Sequence, residues 1–108
     1  MTKIIEAAVN KAFKAAEKAT TEYLNAGNSW FPCGFAWVII KPANTKVAKY
    51  LKTNYNSRLA NGGGLMVYNP SHNATQSLDA KLAGAVAFVD VMKKELGLVN
   101  IYTESRWD

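Results

Sequence analysis

With 108 residues, 49% of them hydrophobic and 19% charged, the chain has the composition of one globular domain, which excludes intrinsic disorder. No apolar run approaches the ~18 residues needed to cross a bilayer, and Lys3 and Glu6 precede any apolar block, so neither a membrane span nor a secretory leader is read and the cytosol is the expected compartment. One cysteine excludes an internal disulfide, and thirteen Lys and Arg against eight Asp and Glu give a net charge of +5, which favours nucleotides, nucleic acid or phosphorylated metabolites as partners.

Residues 1–27 predict an N-terminal packing helix without a site of its own. Ile5, Val9, Ala12, Phe13, Ala16 and Tyr23 recur at helical spacing on one face, Lys14, Glu17, Lys18 and Thr21 lie on the other, and Gly27 with Asn28 ends it. After a turn at Trp30–Gly34, residues 35–40 form the most continuously apolar segment and read as a strand buried on both faces, stopped by Lys41-Pro42. Asn44 or Thr45 then caps a helix over about 45–55, with Val47, Tyr50 and Leu51 inward and Lys46, Lys49 and Lys52 outward.

Residues 56–64 read as a loop whose Gly62-Gly63-Gly64 could form an anion-binding nest, although no phosphate-loop Lys-Ser/Thr follows. Residues 65–69 predict a second strand, stopped by Pro70, and 71–76 a polar loop with the single histidine, His72. Ser77 or Thr75 caps a third helix over 78–96, ended by Gly97. Its middle, Leu82 to Val89, is apolar all round and suggests a homo-oligomer interface. Residues 99–103 predict the last strand, and 104–108 a tail. The order α-β-α-β-α-β predicts a single α/β domain: a three-stranded, mostly parallel sheet packed with helices and oligomeric through its exposed edges.

In a parallel sheet, ligands sit outside the carboxyl ends of the strands. The residues expected along that rim are Trp30 and Phe31, Gly63 and Gly64, Tyr68, Asn69, His72 and Gln76, then Arg106 and Trp107, with Arg58 nearby. Aromatic faces can stack on a base, arginines and His72 can meet phosphates, and Asn69 and Gln76 can read polar edges. Cys33, between Pro32 and Gly34, could act as a nucleophile with His72 as its base, against the simpler reading of a small buried hydrophobe. One Cys and one His without ordered acidic spacing do not make a metal site, and no cofactor is expected.

Trp30-Phe31-Pro32-Cys33-Gly34-Phe35-Ala36-Trp37, the Gly63-Gly64 to Asn69-Pro70-Ser71 segment, Gln76, Asp79 to Ala85 and the ending Tyr102 to Ser105-Arg106-Trp107-Asp108 together resemble a family of small bacteriophage accessory proteins over residues 29–108. The resemblance implies a protein acting in the host cytoplasm and, by analogy, one that antagonises host defence by sequestering a nucleotide signal. Three functions therefore stand side by side. The first is capture of a small phosphorylated, nucleotide-type ligand. The second is nucleic-acid binding through Lys41, Lys46, Lys49, Lys52 and Arg58. The third is a small hydrolase or lyase using Cys33 and His72.

Overall fold

The computed structural model describes residues 2–27 and 33–107. Within them the chain runs α1 (Thr2–Asn25), β1 (Gly34–Ile40), α2 (Lys46–Tyr55), β2 (Arg58–Leu59), β3 (Leu65–Tyr68), α3 (Leu78–Leu96) and β4 (Ile101–Trp107). The helix ends follow local chemistry. Thr45 Oγ1 accepts from Ala48 N at 3.2 Å and Ser77 Oγ from Ala80 N at 3.1 Å, satisfying first-turn N–H groups that have no partner within the helix. Asn56 and Gly97 close α2 and α3 in the left-handed conformation.

The sheet corrects the expected architecture. It has four strands in the order β2-β3-β1-β4, and every neighbouring pair is antiparallel. The three-stranded, mostly parallel sheet is overturned by a single missed element. Residues 56–64 are not all loop: Arg58 and Leu59 pair with Met66 and Leu65, and the hairpin closes with Ala60 N donating to Gly64 O at 2.9 Å. A two-residue strand is too short to show alternation in the sequence, yet it reverses the chain before β3.

The helices still act as crossovers. β1 and β2 point the same way, as do β3 and β4, but β3 lies between the first pair and β1 between the second. The result is two interlocked split β-α-β units.

All sheet residues in the main core share one face: Ala36, Val38, Ile40, Leu65, Val67 and Ile101. Over them pack Ile5, Val9, Ala12, Phe13 and Ala16 of α1, Val47, Ala48 and Leu51 of α2, and Ala85, Phe88, Val89 and Met92 of α3. Much of the apolar surface of α3 is met within the chain, because α1 covers one side of it while β1 and β4 cover another, and Val86 is left exposed. Gly84 makes the α1 contact close: a Cβ there would stand 2.5 Å from Thr20 Oγ1 and 3.0 Å from Ala16 O. Thr20 is buried and donates from Oγ1 to Ala80 O at 2.7 Å, tying the two helices together.

The opposite face carries no helix among the described residues. β1 is therefore not buried on both faces as expected: Phe35 and Trp37 are only half-buried there, and Ile39 alone is fully covered.

Candidate functional site

Strand register decides which side chains share the uncovered face. Trp37 pairs with Tyr68 and Glu104, Phe35 with Arg106, and Ile39 with Met66 and Tyr102. Side chains alternate along a strand, so all of these project from the same side. Phe35 and Tyr68 have ring centroids 6.2 Å apart, and the Arg106 guanidinium sits 5.9 Å over Phe35. Lys81, reaching from α3, donates from Nζ to Gly34 O at 3.0 Å and lies 4.9 Å over the same ring. Trp37 is oriented by its indole N–H, which donates to Glu104 Oε1 at 3.0 Å. Towards the far end of the face Lys41 lies 5.6 Å over Tyr102. Phe35, Trp37, Met66, Tyr68 and Arg106 together line a shallow hollow of about 310 Å³.

A second cavity of about 130 Å³ adjoins this face, since Met66 and Tyr68 line both. It opens where β2 stops short of the end of β3, and Phe13, Tyr55, Arg58 and His72 complete its wall. Phe13 is stacked on both neighbours, at 4.6 Å from the Tyr55 ring and 5.1 Å from His72. Tyr55 is fixed by its hydroxyl donating to Asn10 Oδ1 at 3.0 Å, and His72 Nδ1 lies 3.9 Å from Glu17 Oε1. Phe13 of the first helix, expected only to pack, also lines this cavity.

The expected rim residues separate into groups. Tyr68 and Arg106 meet on the open face, while Arg58, Tyr68 and His72 meet in the adjoining cleft. Gly63 and Gly64 do not join them. They belong to the hairpin turn before β3, and a Cβ on Gly64 would stand 2.8 Å from Lys41 Cγ, at the opposite end of β1 from Phe35. In an antiparallel sheet the carboxyl ends of neighbouring strands lie at opposite ends, so the single rim of a parallel sheet does not exist here.

Trp107 is the next residue after Arg106 and belongs to the helix-side face, 71% exposed. Asn69 is engaged within its own loop: Nδ2 donates to Asn73 O at 2.9 Å and Oδ1 accepts from Ser71 Oγ at 3.1 Å. Gln76 is exposed near the start of β1, its backbone carbonyl accepting from Gly34 N and its Oε1 facing Cys33 Sγ at 3.7 Å. Trp30 and Phe31 lie outside the described residues.

Cys33 and His72 have different partners, Gln76 for the thiol and Phe13 with Glu17 for the imidazole. No hydrogen bond joins the two among the described residues. Nor do the described residues bring together three or more His, Cys, Asp or Glu side chains able to hold a metal ion. No helix among them is long and apolar enough to cross a membrane.

Sequence reasoning missed Phe35, Trp37 and Met66 on the face, and Phe13 and Tyr55 in the cleft. A signal for the first two was present: in Phe35-Ala36-Trp37-Val38 large aromatics alternate with small aliphatics, which marks two unlike faces. No protein family, curated protein or solved structure matches the chain.

Proposed function

We propose that this protein is a binding protein for a phosphorylated, nucleotide-type ligand whose base or bases stack on the open face of the sheet. The observation that carries this reading is the grouping of Phe35, Trp37 and Tyr68 on the two central strands, with Arg106 beside them. Open four-stranded sheets that bind single-stranded RNA use aromatics on their faces in this way, and each stacked base contributes about 1–3 kcal/mol. Arg106 and Arg58 are exposed, have no ion-pair partner among the described residues, and flank the aromatics from two sides as phosphate contacts. The net charge of +5 and the resemblance to phage accessory proteins support the same class, with sequestration of a signal nucleotide in the host cytoplasm as its purpose.

Titration of the protein with mononucleotides, cyclic dinucleotides and short single strands, followed by Trp37 fluorescence, tests the reading. Quenching that Tyr68→Ala weakens is expected, with the ligand recovered intact after heat denaturation. Absence of any nucleotide response would falsify it.

The lateral openness of the face favours a second reading, single-stranded nucleic acid. Lys46, Lys49 and Lys52 are exposed on α2 and unpaired among the described residues, and Lys41 stands at the face's far end. A strand contacting several cations loses affinity steeply with salt, with a slope of about −0.7 per phosphate neutralised. A mononucleotide-sized ligand shows a shallow slope, so affinity measured at two salt concentrations separates the readings.

A further inference from the structure

We infer that β4 is a dimerisation edge, pairing antiparallel with β4 of a second copy about a two-fold axis through Ser105. Among the described residues β4 is the last strand of the sheet, seven residues long, and bonded only to β1. It contains neither proline nor lysine, the usual guards of a free edge, and Glu104 to Trp107 are all exposed. Unpaired N–H and C=O groups along such an edge form a template for another strand.

The charges choose the register. A two-fold axis normal to the sheet keeps each face on its own side, so paired residues share a face and the axis passes through a residue. With Ser105 on the axis, Glu104 faces the partner's Arg106 and Arg106 faces the partner's Glu104. With Glu104 or Arg106 on the axis, like charges stand directly opposite, which is destabilising. Glu104 Oε1 holds the Trp37 indole, and its second carboxylate oxygen remains for the guanidinium. Arg106 has five donors, so this pairing leaves others directed at a ligand on the open face.

A second observation gives the same register. With Ser105 on the axis, Thr103 faces the partner's Trp107 on the helix side of the sheet. Thr103 lines a groove of about 230 Å³ between α3 and β4, together with Val86, Val89 and Ile101. Trp107 and Val86 are conspicuous exposed hydrophobics, at 71% and 44%. The partner's indole therefore lands over the apolar floor that Val86, Val89 and Ile101 form in a groove rimmed by Asp90 and Lys93, the pattern of an aromatic interface anchor. Since exposed ion pairs contribute little, the indole supplies the affinity and the charge pairs the register. The assembly joins two open faces into one eight-stranded surface, with Glu104 of each copy beside the other's Arg106.

Sedimentation equilibrium on the full chain tests this, and a species of twice 11.8 kDa is expected. Trp107→Ala and Glu104→Arg should each weaken the dimer at least tenfold. Combining Glu104→Arg with Arg106→Glu should restore most of it, because the cross-axis charge pairs re-form with their signs exchanged, although Trp37 loses its acceptor. In a Cys33→Ser background, Ser105→Cys should oxidise to a covalent dimer, since the two axial residues stand about 4.5–5.5 Å apart between Cα atoms. Thr103→Cys should not, because its two copies lie about 14 Å apart along the strands at 3.4 Å per residue. A protein that stays monomeric at millimolar concentration overturns the inference. So does a dimer indifferent to Trp107→Ala and Glu104→Arg in variants whose circular dichroism is unchanged, or one in which Thr103→Cys cross-links and Ser105→Cys does not.

Discussion

The two faces of the sheet are made from the same strands and differ in the size, polarity and exposure of their side chains. On the covered face Ala36, Val38, Ile40, Leu65, Val67 and Ile101 are small or branched aliphatics buried under three helices. On the open face Phe35, Trp37, Met66, Tyr68, Tyr102 and Arg106 are large, aromatic or charged and stay partly in water. One face needs close packing, which small side chains allow. The other offers a flat polarisable surface next to cations, the property the proposed stacking uses, at some cost in exposed apolar area. Stability and binding are therefore expected to separate by the parity of the residue along a strand.

Substitutions on the covered side should act on folding. Phe88 is fully buried and meets Phe13 edge-on at 4.9 Å, so Phe88→Ala should cost about 3–5 kcal/mol in urea unfolding through lost burial and the cavity left behind. A loss below about 1 kcal/mol would mean that α1 and α3 are not packed as described. Gly84→Ala should cost about 1–3 kcal/mol by overpacking, because the new methyl meets Thr20 and the Ala16 carbonyl. A stabilised Gly84→Ala protein would contradict the close contact of these helices.

On the open side the expected effect moves to the ligand. Trp37→Ala should weaken nucleotide binding by about 1–3 kcal/mol, roughly fivefold to 150-fold, while the protein remains folded by circular dichroism. Equal affinity in wild type and Trp37→Ala would remove stacking from the account. Arg58→Ala and Arg106→Ala should each leave stability within about 0.5 kcal/mol. If the ligand is a strand, each should also reduce the magnitude of the salt slope by about 0.7. Least affected should be the α2 variants Lys46→Ala, Lys49→Ala and Lys52→Ala, whose influence on short ligands should be near zero. A larger effect there than at Arg106 would shift the binding surface to the helix.

Much of the local structure was legible. Helical periodicity in Ile5 to Ala16, the caps at Thr45 and Ser77 and the stop at Gly97 all coincide with observed element ends or buried faces. The candidate site was legible only in part. The chemistry of Arg58, Tyr68, His72 and Arg106 marks them in the sequence, and all four line adjoining cavities. Gly63, Gly64, Asn69 and Trp107 would share a rim only in a parallel sheet, and in the antiparallel one each is placed or occupied otherwise.

What the order of residues determined by itself is the set of elements, because spacing, capping and turn preferences act within a few residues. Strand order, strand direction and the choice of covered face were decided only in three dimensions. A two-residue strand hidden in a polar loop turns the chain once more before Leu65, and that one reversal makes every strand pair antiparallel. Alternation in Phe35-Ala36-Trp37-Val38 announces two different surfaces, but only the packing of α1 and α3 determines that the aromatic one faces water.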